Sequence, residues 1–399
     1  MKKLQPGIWI ALVGLLLIAG FGFFIMKGKQ KPQATQAVQF TKQHLWQDFI
    51  SEGVAVGDVN NDGQKDILAG AYWFEAPDWT PHEMRTPQTF DYTTGYSDSF
   101  LNFAMDVNQD GWVDFIRIDF PGEGAYWYEN PKGKDTPWEE YVIDTNACNE
   151  SPMMADVDGN GKMDLVFGNE PSGEMMWFRA PENGNDPSWQ PLAISTQKSP
   201  GTQKFSHGLG FGDVNGDGRN DIIIREGWWE APENPQDVPW TFHEAAFGEP
   251  CSQMYAYDFD ADGDNDIIAA SAHDYGIWWY EQAQGEDGQP VFTTHLIEDS
   301  FSQTHGVALT DMNADGLPDL VTGKRYFAHQ GKDPGGLEPA VIYWFELQRD
   351  ANNHPTWTKH LIDDNSGVGL QVITEDMNED GKPDIVISNK KGVFYFEQE

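Results

Sequence analysis

One nine-residue pattern, D-x-[DN]-x-[DN]-G-x-x-D, occurs seven times in this chain, and every copy leads into a short apolar run. The copies are DVNNDGQKD from Asp58, DVNQDGWVD from Asp106, DVDGNGKMD from Asp156, DVNGDGRND from Asp213, DFDADGDND from Asp258, DMNADGLPD from Asp311 and DMNEDGKPD from Asp376. Asp-Gly by itself marks only a tight turn. Seven complete copies mark a repeat architecture, in which one small unit recurs and neighbouring units bury each other's apolar faces.

The spacing suits calcium. A hard divalent cation takes roughly six to eight oxygens, and a looped backbone offers them at positions 1, 3 and 5, with a glycine at 6 for the sharp turn and a carbonyl at 7. Here the closing carboxylate stands at position 9, so the loop runs directly into a strand. The expected ligands are Asp58, Asn60, Asp62 and Asp66 in the first copy, and Asp106, Asn108, Asp110 and Asp114 in the second. Asp156, Asp158, Asn160 and Asp164 follow, then Asp213, Asn215, Asp217 and Asp221, then Asp258, Asp260, Asp262 and Asp266. Asp311, Asn313, Asp315 and Asp319 precede the last set, Asp376, Asn378, Asp380 and Asp384. Up to seven Ca²⁺ are expected. The alternative is a row of metal-free Asx turns, disfavoured because carboxylates at this density repel unless a cation neutralises them.

The formal charge of −39 and a pI near 4.3 agree with this reading. Even with every loop filled the chain stays strongly acidic. That excludes nucleic acid as a partner, since phosphate binding needs a basic surface.

Residues Gly7–Met26 form an apolar run flanked by Lys2 and Lys3 and by Lys27, Lys29 and Lys31. Such a run makes roughly 30 Å of helix, enough to cross a bilayer core. An uncleaved membrane anchor over 1–26 is therefore expected, with a cleaved signal peptide as the competitor. A polar tether over 27–39 and one domain over 40–399 follow. Calcium sites of this kind place the domain outside the cytoplasm, in the periplasm or at the cell surface.

Successive first aspartates lie 48, 50, 57, 45, 53 and 65 residues apart, a period suited to propeller blades of four strands. An apolar strand enters each loop and a second leaves it. A third is aromatic: YWFE at Tyr72, YWYE at Tyr126, MWF at Met176, WWE at Trp228, WWYE at Trp278, YWFE at Tyr343 and FYFE at Phe394. A fourth is signalled by pairs such as Trp240–His243, Phe292–His295 and Trp357–His360. The last repeat ends after its third strand, and a spare strand-like segment, Phe40–Trp46, precedes the first. The expectation is an all-β, seven-bladed propeller of four-stranded blades, a calcium loop in each, closed by the N-terminal strand, behind a single N-terminal transmembrane helix. The aromatics recur at one register, so they read as packing between blades. Cys148 and Cys251 precede non-adjacent blades and are expected to be free thiols.

In these motifs the chain resembles the FG-GAP/VCBS-repeat β-propellers, the group that includes integrin α-subunit heads. The resemblance covers Phe40–Glu399. It implies the fold and calcium at the loop Asp and Asn positions, and says little about function, because propellers host binding and catalysis alike.

Residues that differ from repeat to repeat carry the functional signal. Glu52, Glu150, His207 and His305 stand at the entries to first strands, and Arg225, His273, Lys324, Arg325 and Lys390 at the ends of second strands. All fall on the face opposite the aspartate loops. With Arg117 and Lys391 they predict a basic funnel for an anionic ligand, covered by the long connection Arg325–Pro339. The first expectation is a binding module for an acidic carbohydrate or a protein partner. The second is a carbohydrate lyase or dehydratase acting by β-elimination, with His207 or His305 as base, Tyr255 or Tyr326 as acid and a funnel cation on the uronate carboxylate. Integrin-like adhesion, as a protein-interaction scaffold, is a further alternative.

Overall fold

The computed structural model describes residues 38–399 apart from 185, 249–252 and 287. The second strand of each repeat is buried along its length, as in Asp66–Ala69, Asp221–Ile224 and Asp319–Gly323, and so reads as a continuous apolar run. The fourth strands alternate between exposed and half-buried positions, as in Pro355–Asp363. Each repeat is an antiparallel meander with the loop-entering strand innermost.

Five four-stranded sheets stand alone. Three carry the first, second and third repeats, and a fourth contains Val307–Thr310 and the three strands after it. In the fifth, the N-terminal strand Phe40–Trp46 pairs antiparallel with Gly392–Gln398, Phe40 opposite Gln398 and His44 opposite Phe394. The remaining eight strands form one sheet. Its seam is parallel, Leu209 opposite Gln253, Gly210 opposite Met254 and Phe211 opposite Tyr255.

The expectation of seven separate four-stranded blades behind a transmembrane helix is therefore corrected. Five blades are separate, and the repeats of the Asp213 and Asp258 loops are one eight-stranded unit. Glycine is the local reason. A Cβ at Gly210 would lie 2.5 Å from the Met254 carbonyl oxygen, and one at Gly212 would lie 2.6 Å from the Ala256 Cβ. Only bare backbone lets these two inner strands approach within ladder distance. Among the described residues no helix is long and apolar enough to cross a membrane. The Gly7–Met26 run lies outside the described residues, as does the tether up to residue 37.

The third-strand aromatics pack where sheets meet. Leu68 and Met84 of the first repeat share one cluster with Phe115, Tyr128 and Trp138 of the second. Trp127, Trp177, Trp229 and Trp279 are fully buried. The fourth-strand histidines lie flat on neighbouring third-strand rings: His82 on Trp73 at 4.3 Å, His243 on Trp228 at 4.9 Å, His295 on Trp279 at 4.5 Å and His360 on Trp344 at 4.3 Å. Each also reaches the Glu two residues past its Trp, at 2.6–2.9 Å. This clasp is structural and recurs as cross-strand pairs do. Cys148 is buried, with its thiol against the Thr202 carbonyl at 3.1 Å and pushed up to about 12 by burial; Cys251 lies outside the described residues.

Candidate functional site

The aspartate loops are built alike. In the first, the Asp58 carboxylate accepts the Asp62 and Gly63 N–H groups at 3.0 and 2.9 Å, and Asn60 Oδ1 accepts the Asp62 N–H at 3.0 Å. Position 6 is left-handed throughout, from Gly63 at φ 91° to Gly381 at φ 85°. The ninth residue ties the loop to its own repeat. Asp66 accepts the Val59 N–H on one oxygen and the Ala76 N–H on the other, both at 2.9 Å, and so ties the loop to the end of the third strand. Asp114, Asp221, Asp266, Asp319 and Asp384 make the same bracket, and Asp164 holds Ala180 and the Trp177 indole. All seven are fully buried.

Burial, opposed by these N–H groups and reinforced by the like charges at positions 1 and 5, pushes Asp66 up to about 6 and Asp114 and Asp221 up to about 7. A loop offering only oxygens, with carboxylates crowded on one centre, fits a hard divalent cation. In the fifth loop the Asp258, Asp260 and Asp262 oxygens lie within 4.8 Å of one another.

On the opposite face the residues are used once each. Arg325 is buried between two carboxylates, Nη2 3.1 Å from Glu52 and Nη1 3.6 Å from Glu150. Glu150 also lies 3.3 Å from His207 Nε2. Burial alone would raise Glu150, but His207 and Arg325 outweigh it and hold the carboxyl down to about 2. The rings of His207, His273 and His305 pack edge to face with centroids 4.7–5.8 Å apart. Burial, with Arg325 and the other rings adding to it, lowers His305 well below the usual imidazole range, and burial also lowers His273.

The connection over this cluster turns through left-handed residues, Phe327, His329 and Gln330 at φ 54°, 46° and 57°. Such conformations persist only when held by their surroundings. His329 stacks on His273 at 4.7 Å, hydrogen-bonds Asp333 at 2.7 Å, and donates its backbone N–H to Tyr96 Oη at 3.2 Å.

The structure thus brings together Glu52, Glu150, His207, His273, His305 and Arg325, with Lys324 and Lys390 beside them. Lys324 bonds to Gln303 and Ser302, while the Lys390 ammonium sits 4.1 Å over the Tyr96 ring and 3.3 Å from the Phe327 carbonyl. Arg225 turns aside onto Glu226. Tyr326 lies against Tyr92 and Phe327. Tyr255 hydrogen-bonds the Val307 carbonyl at 2.8 Å and lines a cavity of ≈ 240 Å³ between the inner strands, with Phe103, Met153 and Met254. Two cations of the expected basic funnel are already neutralised within the fold. Arg117 is tied to Asp98 and Asp119, and Arg325 to Glu52 and Glu150. Asp333, Gln303 and Tyr96 were missed by the sequence reading; the one available signal was Asp333 four residues after His329.

A family model for FG-GAP-like repeats matches residues 106–167, 156–224 and 258–322. The chain carries FG-GAP-like repeats. Integrin alpha-8 of Mus musculus is 26% identical over 204 residues, 41% of this chain and 19% of its own length. Among solved structures, exotype rhamnogalacturonan lyase YesX is similar at a TM-score of 0.48 with 13% identity, over 92% of this chain and 75% of that one. BBS1N in complex with ARL6DN gives 0.48 with 8% identity, over 89% and 97%. The Vibrio cholerae biofilm matrix protein Bap1 gives 0.36 with 13% identity, over 84% and 45%.

Proposed function

We propose that this FG-GAP propeller is a calcium-bearing binding module that works outside the cytoplasm and takes an acidic carbohydrate at its histidine-lined mouth. The observation that carries the reading is a pair of buried ammonium groups. Lys324 and Lys390 are 1% and 3% exposed, and neither makes an ion pair among the described residues. Burial lowers both to about 8. A buried ammonium with no carboxylate in direct contact is costly, and a ligand carboxylate would offset that cost. The connection over the mouth, docked through His329 on Tyr96, would have to open to admit it.

Calorimetric titration with uronate oligosaccharides tests this. Wild type should bind, and Lys390→Met should weaken binding on the order of tenfold, as loss of one charged hydrogen bond implies. Equal affinity of the two proteins would overturn the assignment. Binding of a protein partner instead would leave the calcium scaffold and move the ligand class.

A second reading, β-elimination at a uronate, draws on His273. It is half-buried and within reach of solvent, and burial favours its neutral, proton-accepting form. Absorbance of an unsaturated product, lost in His273→Ala, would favour it; binding without product favours the module.

A further inference from the structure

We infer that His207, His273 and His305 form a three-histidine site for one divalent transition-metal ion, distinct from the aspartate loops. One ring nitrogen from each lies within 4.8 Å of the others. The hydrogen bonds say which nitrogen is left over. His207 Nδ1 donates to the Phe205 carbonyl at 2.7 Å, His305 Nδ1 faces the Gln303 carbonyl at 3.3 Å, and His273 Nδ1 faces Asp333 Oδ2 at 3.4 Å. An imidazole that gives its Nδ1–H to an oxygen keeps a lone pair on Nε2. That is the arrangement of metal-ligating histidines, whose second nitrogen is held by a carbonyl or carboxylate.

Of the leftover nitrogens, His207 Nε2 faces only the Glu150 carboxylate and His305 Nε2 faces no acceptor. His207 Nε2 and His305 Nε2 are buried and have no hydrogen-bond partner, although His305 is wholly buried and His207 is 7% exposed. Buried polar atoms are almost always satisfied, so two orphans in one cluster call for an occupant. The competing explanation is a protonated His207 paired with Glu150 at 3.3 Å. It accounts for one nitrogen and leaves His305 unexplained.

The donor chemistry selects the ion. Three imidazoles suit zinc, cobalt, nickel or copper and not calcium. Ring nitrogens at about 2.0–2.1 Å from a tetrahedral ion stand roughly 3.4 Å apart, so separations of up to 4.8 Å must close by at most about 1.4 Å. His273 has the room, with a side chain 32% exposed. Glu150 Oε2, 3.3 Å from His207 Nε2 and 3.6 Å from Arg325, stands close enough to take the fourth position once an ion replaces its contact with His207. This inference does not depend on the carbohydrate-binding reading, and an occupied site leaves His273 unable to serve as the base of the β-elimination reading.

The test is titration of the full chain with Co²⁺ in excess Ca²⁺, followed by visible absorption. Ligand-field bands of nitrogen-ligated Co²⁺ should grow to one equivalent per chain and be displaced by Zn²⁺. His273→Ala should weaken binding about a hundredfold or more, beyond what loss of an outer partner does. His305→Gln should do the same, with folding checked by its circular dichroism. His329→Ala should bind normally, because His329 stacks on the site without entering it. No band beyond that of free Co²⁺, or binding unchanged in His273→Ala, would overturn the site. Loss in His329→Ala with retention in His305→Gln would overturn it too, by moving the ion to the neighbouring His273, His329 and Asp333 set.

Discussion

The two faces of this propeller are built on opposite principles. On the loop face one solution is made seven times: a nine-residue turn, a left-handed glycine, and a buried ninth aspartate that brackets loop to strand. On the mouth face nothing recurs. Glu52 and Arg325 come from chain segments far apart in sequence and meet only there, as do His207, His273 and His305. Repetition marks what holds the fold, and its absence marks where a ligand can be selected.

The largest effect expected is loss of loop ions. A ligand at a hundred times its Kd stabilises by about 2.7 kcal/mol per site, so thorough chelation should lower the melting temperature on the order of ten degrees or more. Calorimetry in Ca²⁺ and in chelator reads this directly.

Breaking the mouth should cost less, and only there. Arg325→Met leaves Glu52 and Glu150 buried without their cation, a loss of about 3–5 kcal/mol in urea unfolding. The loop bracket is comparable. Asp221→Ala strands the Val214 and Ala231 N–H groups, about 1–3 kcal/mol each, and Asp217→Ala in the same loop, measured in chelator, should cost much less. Equal losses in that pair would deny the ninth position its second role.

The pH dependence separates the faces further. Lys390 has a folded value of about 8 against 10.5, so its charged form is disfavoured in the fold. Stability from this group should therefore rise as pH climbs from about 8 towards 10.5, because the unfolded chain binds the extra proton there. Affinity for an acidic ligand should move the other way and fall as pH passes 8. Titrations at pH 7 and pH 9 show whether it does. The smallest effect belongs to the clasp: His360→Ala, losing the Trp344 stack, should cost about 0.5–1.5 kcal/mol.

The loop face was legible because its information is local. Nine residues specify turn, glycine and carboxylates, and the period supplies the sheets. The fourth-strand histidines were legible as strand markers, but their stacking on third-strand Trp rings was not. The fused sheet was not, since its only trace is an extra glycine at 210. The mouth was half legible. Position in the repeat picked out His207, His273 and His305 singly, but their convergence depends on three separate strand connections. Arg325 could not be recognised as neutralised, because its partners at positions 52 and 150 cannot be paired by spacing.

Calcium content after equilibrium dialysis tests the account most directly. The chain should retain several Ca²⁺, unchanged by His305→Gln and reduced by about one in Asp217→Ala. A chain that emerges from calcium-containing buffer with none bound would contradict it.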